Sequence, residues 1–444
     1  MSGATTARDS MGIEPIAKDK RRGSPRQQFT LWWSANLGMP PFLVGVLGPV
    51  LGLNLTQTVW AVVIGNVIAS LLLGLTAAAG VGYGLAQMPL SRALFGHKGN
   101  YLPAGMNAIS SLGWYIVNTA IGGTALAALL HMNIGLAFVV MIIAQGSIVY
   151  LGHHMIHRFE HWMAYVQGAL FIALTIGAIM NWGAIKATAG GNYGAFLLLL
   201  AAVASYSFSW STYVSDYTRY LPDNTSRPHV FWLTFWGSWL SCVWVEVVGG
   251  VAGSIGLGNL SAIGIVQHLM GKFASLAELA IVLGTMTANA LNSYTSTMSF
   301  LTLDLPSLRP YVGATIAIVG GLVAWFSSSH LLMFYENFLL LISYWIAPWI
   351  GITLVGAWLG ELSTKAAMMA PSVRWSALTA FIVGLVVIIP FMDTTLFEGP
   401  ISKMMEGGDI SYYLGLIVAS VIFWGVERRN NHGEGALPAE VGQS

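Results

Sequence analysis

Apolar residues run through this chain in long blocks, most of them about the ~20 residues a helix needs to cross a hydrocarbon core about 30 Å thick. Twelve blocks are legible, near 29–53, 59–82, 103–130, 133–152, 162–181, 192–214, 229–256, 275–299, 310–328, 331–359, 374–392 and 411–426. The block at 133–152 is interrupted by glycine and that at 411–426 is short. The pattern predicts an all-α polytopic membrane protein with 12 transmembrane helices. The segment 258–272 is amphipathic and is expected to lie along the outer interface. Residues 1–28 are polar and basic, without the apolar stretch of a cleavable leader, and are expected to form a disordered cytosolic tail; 427–444 is the matching C-terminal tail.

Composition sharpens this picture. The chain of 444 residues is 55% hydrophobic and 8% charged, with a mean hydropathy of +0.68. A soluble domain carries about 25% charged residues, so a water-facing surface for so long a chain is excluded, and with it a cytosolic enzyme. The net charge of +1 offers no field that would draw nucleic acid. The single cysteine, Cys242, rules out an intramolecular disulfide and any cysteine-based zinc or redox motif. Threading twelve spans from a cytosolic N-terminus tests the count. Of the 19 Lys and Arg, all but Lys186, Lys272 and Lys403 then fall inside, as the positive-inside rule requires. Both termini are therefore expected in the cytosol, with the chain in the plasma (cytoplasmic) membrane.

No nucleotide-binding P-loop, H-E-x-x-H helix or G-x-S-x-G elbow occurs, so no enzyme chemistry is expected. His153, His154, His157 and His161 share helical spacings, but only Glu160 is near to complete a metal site, and it points off that face. The acidic residues of loop 393–410 read as a solvated surface.

Helix interruption says more. Span 1 reads Asn36-Leu37-Gly38-Met39-Pro40-Pro41 in its middle. Two prolines remove two amide donors and clash with preceding carbonyls, and backbone freed in this way must line a protein-enclosed site rather than lipid. Span 6 carries the polar run Ser205 to Thr212. Interrupted helices opening each of two five-span units point to a secondary transporter built on inverted repeats. Trp114 and Asn118 share one face of span 3, and Thr285, Thr287, Asn289, Asn292 and Ser293 crowd span 8. Aromatic faces with amide edges suit a planar, uncharged ligand. Glu246 in span 7 and Glu336 in span 10 are intramembrane acids, functional by default expectation; Glu246 is a candidate for proton coupling or a structural acceptor.

Several pieces in order resemble the nucleobase:cation symporter-1 family, closest to its purine/cytosine permease branch. They are Gly12–Ile16 (GIEPI), Trp32–Asn36 (WWSAN), Gly45–Pro49 (GVLGP), the loop Gly84–Gly99, Gly113-Trp114-Tyr115 with Asn118, Asp216–Tyr220 (DYTRY), Ala288–Tyr294 (ANALNSY), Glu336–Leu339 (ENFL) and Ile342–Trp345 (ISYW). The resemblance covers about residues 13 to 426. It implies a LeuT-like 5+5 inverted repeat, 29–181 and 192–359, plus two peripheral helices in 374–426.

It further implies cation-coupled import of cytosine and/or purines by alternating access. Trp114 would stack on the ring, Asn118 would hydrogen-bond it, and Asn289 and Asn292 would read its edge. The family's second stacking aromatic aligns near Ser207, with Phe208 adjacent and Trp210 one turn on; Phe208 is the expected partner. A sodium site would use the Asn36 and Met39 carbonyls with Thr287 and Thr285, whereas proton-coupled relatives keep Glu246 in play. No cofactor is expected beyond a coupling Na+ or H+. The partners expected are a small heterocycle and lipid, with the protein a monomer. Another small ring (allantoin, a hydantoin, a hydroxymethylpyrimidine or thiamine-like compound) is the alternative substrate. A channel or a non-transporting sensor on the same scaffold is the alternative class.

Overall fold

The computed structural model describes residues 13–151, 153–258, 260–304 and 309–434, less the side chains of 148–151, 153–161, 291, 294, 297, 309–314 and 431–434. The side chains of the four clustered histidines, and Gly12 of the N-terminal motif, thus lie outside what is described.

In the first half the helices are α1 (Arg26–Ala35), α2 (Met39–Val50), α3 (Leu55–Ala79), α4 (Gln87–Phe95), α5 (Tyr101–Leu129), α6 (Ile134–Leu151) and α7 (His153–Met180). Then come α8 (Tyr193–Ser209), α9 (Val214–Thr218), α10 (Arg227–Ala252), α11 (Ala262–Met270), α12 (Ala274–Thr302), α13 (Arg309–Ser327) and α14 (Leu331–Trp358). The chain closes with α15 (Thr364–Met368), α16 (Trp375–Val387), α17 (Pro400–Met404) and α18 (Ser411–Glu434). Each of the twelve predicted blocks is occupied by helix, and among the described residues the only β pairing is an isolated bridge, Asp393 to Glu398. By length and composition, 7 helical stretches among the described residues suffice to cross a membrane. The number falls short of twelve partly because Thr315–Trp358 joins two blocks, while the halves of span 1 and the stretches Ile134–Ser147 and Trp375–Phe391 are short.

The break in span 1 follows from its residues. Proline is best tolerated in the first turn of a helix, and Pro40 and Pro41 sit there, in a new helix that begins at Met39 behind an extended Gly38 (φ −163°, ψ 170°). Asn36 closes α1 by turning its Nδ2 back onto the Trp32 carbonyl at 2.7 Å. Span 6 is interrupted at the end of its polar run. α-Helical geometry persists through Ser209, tightens to a 3₁₀ turn over Trp210–Thr212 and breaks at Tyr213. Ser209 and Thr212 donate to carbonyls three residues back, Tyr206 O and Ser209 O, which suits that tighter turn.

Two close helix crossings frame the interior. α2 packs on α10 so tightly that a Cβ at Gly45 would stand 1.8 Å from the Glu246 carbonyl oxygen, and one at Gly249 would stand 1.9 Å from that of Phe42. The small-residue contact lets the two backbones touch, as in other membrane helix pairs. α5 and α12 form another extensive pair. α11 buries Ile263, Ile265 and Val266 and exposes Gln267 and His268, the amphipathic segment the sequence predicts.

Candidate functional site

A cavity of about 130 Å³ opens where the break in span 1 meets α5, α7, α8 and α12. A buried apolar cavity of about 150 Å³ accepts a benzene molecule, so the space suits one small ring.

Trp114 and Asn118, on one face of α5, both line it. The Trp114 indole is set by Tyr206, Tyr335 and Phe338, whose rings meet it at 80°, 66° and 87°. None lies parallel to it, so none occupies a stacking position. Asn118 turns its Nδ2 onto the Trp114 carbonyl at 2.9 Å. Gly38, Met39 and Ser34 contribute the wall from span 1, and Gln167 of α7 closes another side.

Residues 206 and 210 share a helix face at the i, i+4 spacing, whereas 208 lies on the opposite side. Tyr206 and Trp210 accordingly line the cavity. Phe208, expected as the second stacking ring, does not. It is fully buried, 5.9 Å from the Tyr412 ring of α18. Tyr206, which the sequence reading passed over, stands in its place beside Trp114. Ser207 also faces away, donating to Asn66 Oδ1 with Cys242 Sγ at 3.3 Å.

On α12, Thr285, Thr287 and Asn292 line the cavity. Asn289 is held one layer behind. Its Nδ2 donates to the Tyr115 carbonyl (3.1 Å) and to Thr119 Oγ1 (2.8 Å), and its Oδ1 accepts from Asn292 Nδ2 (3.2 Å). Asn289 therefore holds Asn292 and is not among the residues that line the cavity. Of the expected cation set, Met39, Thr285 and Thr287 surround the same space, with both threonine hydroxyls donating to their own helix and keeping oxygen lone pairs free. Neutral oxygens of this kind match a hard monovalent ion. The Asn36 side chain lies just behind, accepting from Trp210 Nε1 at 3.1 Å.

Glu246 is fully buried away from the cavity wall. Its Oε2 accepts from Asn66 Nδ2 at 2.7 Å, and its Oε1 has no hydrogen-bond partner among the described residues. Beyond the end of span 6, Asp216 ties α9 to the loop after span 2. Its Oδ1 accepts from the Gln87 amide (2.9 Å), and Gln87 Oε1 accepts from the Ser215 amide (3.1 Å). Burial pushes the Asp216 carboxyl up to about 6 against the opposing pull of that amide and of Arg219. The residues missed by sequence reading (Tyr206, Gln167, Asn66) carry ordinary types in apolar helices; only the i, i+4 relation of Tyr206 to Trp210 could have signalled one of them.

A broken-helix bundle with a ring-sized, uncharged cavity at the break defines an integral membrane transporter rather than an enzyme. A sequence profile described as permease for cytosine/purines, uracil, thiamine, allantoin matches residues 15–415. The chain belongs to this family of nucleobase:cation symporters. YxlA of Bacillus subtilis (strain 168), provisionally named a purine-cytosine permease, is 29% identical over 93% of this chain and 94% of its own. The purine-cytosine permease FCY2 of Saccharomyces cerevisiae is 27% identical over 94% of this chain and 85% of its own. Among solved structures, Mhp1 in its inward-facing conformation superposes with a TM-score of 0.77 at 18% identity, covering 95% of this chain and 94% of that one. Mhp1 in a closed conformation with bromovinylhydantoin bound gives 0.72 at 19% identity, covering 95% and 96%. The fold is therefore LeuT-like, as the resemblance implied.

Proposed function

We propose that this chain imports cytosine and/or purine bases across the plasma membrane by alternating access, coupled to a sodium ion or a proton, with both termini in the cytosol. The observation that carries this is the cavity itself, with Trp114 and Asn118 on one wall and Asn292 on another, all at the break in span 1. The 29–181 and 192–359 units would move against each other around it. The start of α2 supports a neutral substrate. A helix N-terminus ordinarily attracts anions through free amides, but Pro40 and Pro41 have no amide proton to offer. Among the described residues no Lys or Arg lines the cavity either.

The deciding experiment is uptake of radiolabelled cytosine, adenine, hypoxanthine, uracil and allantoin, with and without sodium and with and without a protonophore. Saturable uptake of a base that collapses with one gradient supports the proposal; allantoin alone would move it to the other heterocycles of the family. Thr287→Ala removes a cavity-facing oxygen and is expected to raise the sodium concentration needed for half-maximal uptake by about tenfold, the order of one lost oxygen contact. An unchanged sodium and pH profile would exclude Thr287 from the cation site.

The free Oε1 of Glu246 favours a second coupling reading, in which its carboxyl carries a proton through the cycle. Glu246→Gln keeps an acceptor for Asn66. Under proton coupling, it is expected to preserve exchange of base across the membrane and to lose accumulation driven by a pH gradient. Accumulation equal to wild type would leave Glu246 a purely structural acceptor.

A further inference from the structure

The loop Gly84–Gly99 holds α4, a helix of nine residues between spans 2 and 3, and every one of them from Gln87 to Phe95 is buried. Connecting segments ordinarily run over the surface, so burial on all sides marks α4 as a part that other elements grip. The grips differ at its two ends. The C-terminal half is fastened several times. Arg92 Nη2 donates to the Thr302 carbonyl (2.8 Å) and to Asp304 Oδ1 (3.3 Å), where α12 ends. Trp349 Nε1 of α14 donates to Ser91 Oγ (3.1 Å). Arg374, just ahead of α16, donates from Nη1 to the Ala93 carbonyl (2.7 Å) and from its backbone amide to the Phe95 carbonyl (2.9 Å).

The N-terminal end is held by α9, just past span 6. Asp216 Oδ1 accepts from the Gln87 backbone amide, and Gln87 Oε1 accepts from the Ser215 backbone amide. A helix leaves its first amides unsatisfied, and a side chain at its own start ordinarily caps them. Neither Ala86 nor Tyr213, the residues ahead of α4 and α9, supplies such a cap. The two helices cap each other instead. On parting, water can replace each cap, which makes the contact reversible. α4 thus joins the ends of two stretches that line the cavity: span 6 through Tyr206 and Trp210, and α12 through Thr285, Thr287 and Asn292. It does so on the face where both ends of the described chain lie. There Ile16 donates its amide to the Gly84 carbonyl (2.9 Å), and Arg374 Nη2 meets Glu427 Oε1 of α18 at 3.0 Å.

We propose that α4 is a bolt between span 6 and α12 on that face of the cavity, with the exchange among Gln87, Ser215 and Asp216 as its catch. This rests on the transporter reading above, in which the face is cytosolic. Because the C-terminal half of α4 is fastened to α12, α14 and Arg374, the catch is where the two sides part. Its release frees the end of span 6, with Tyr206 and Trp210, to swing away from α12 and opens the cavity to the cytosol. Its closure shuts that side. Gln87 and Asp216 are positioning residues in this scheme: neither is among the residues that line the cavity, and both act through the Tyr206 and Trp210 wall.

The test is sided thiol labelling of a reporter in the cavity, which needs no substrate. Ala288→Cys places a thiol on the cavity wall, and the parent chain with its buried Cys242 gives the blank. A membrane-impermeant maleimide is applied to the full chain in right-side-out and in inside-out vesicles. Gln87→Ala in that background is expected to raise the labelling rate from the cytosolic face about tenfold, the order of one lost hydrogen bond, and to lower it from the outer face. Asp216→Ala removes the other half of the catch and is expected to shift both rates in the same directions. Unchanged rates in either folded variant would overturn the bolt. Faster labelling from both faces would overturn it too, since general loosening has no sidedness. Base uptake by the parent chain is measured alongside. Its absence, with a sided shift in labelling, would overturn the nucleobase reading and leave the bolt standing.

Discussion

Asn118→Ala is expected to lower kcat/KM for base uptake by about 100-fold while leaving the amount of folded protein unchanged. The asymmetry comes from what Asn118 does in each state. Among the described residues its side chain makes one hydrogen bond, from Nδ2 to the Trp114 carbonyl within the same helix, a carbonyl that also serves the helix ladder. Losing it removes little stability. Toward a ligand, Asn118 stands on the cavity wall, and removing its amide leaves a polar group of the ligand buried without a partner. Uptake assays at matched expression check this; normal cytosine and purine transport in the variant would remove Asn118 from the site.

Gly249→Val is expected to act oppositely, abolishing accumulation of folded protein before function can be measured. The added Cβ would start 1.9 Å from the Phe42 carbonyl oxygen, and backbone cannot swing aside as a flexible side chain can. Relief requires α2 and α10 to part, which also separates Gly45 from the Glu246 carbonyl. Overpacking in a core costs about 1–3 kcal/mol even where side chains can adjust, and here no side chain can. Gly105→Ala in α5 is the matched control: its Cβ would meet nothing within 4 Å, and alanine is the better helix former. Fluorescence-detected size-exclusion chromatography of the two variants checks the contrast, with a monodisperse wild-type-sized peak for Gly249→Val counting against it.

The sequence made the helices legible because lipid enforces long apolar blocks, and it made the span 1 break legible because two adjacent prolines admit one solution. Trp114, Asn118 and Asn292 were found for a related reason, being polar or aromatic groups that an apolar helix does not need. Which face of α8 meets the cavity was harder. Ser205 to Thr212 is polar nearly all round, so composition could not choose among 206, 207, 208 and 210; the packing of Phe208 on α18 chose, and α18 lies some two hundred residues away. The same holds for Asn289. Its type suggested ligand contact, but its role was set by the Tyr115 carbonyl and Thr119 on another helix. Side chains that act through a partner are invisible until the partner is placed.

The pairing of Glu246 with Asn66 bears on how the protein is made. An acidic residue near the centre of a membrane helix costs about 2.5–3.5 kcal/mol on insertion when it has no partner. Asn66 precedes Glu246 by 180 residues, so the ribosome has delivered the donor to the bilayer before span 7 leaves the tunnel. The acid enters a membrane where its partner already waits, and the order of synthesis protects the least soluble step of assembly.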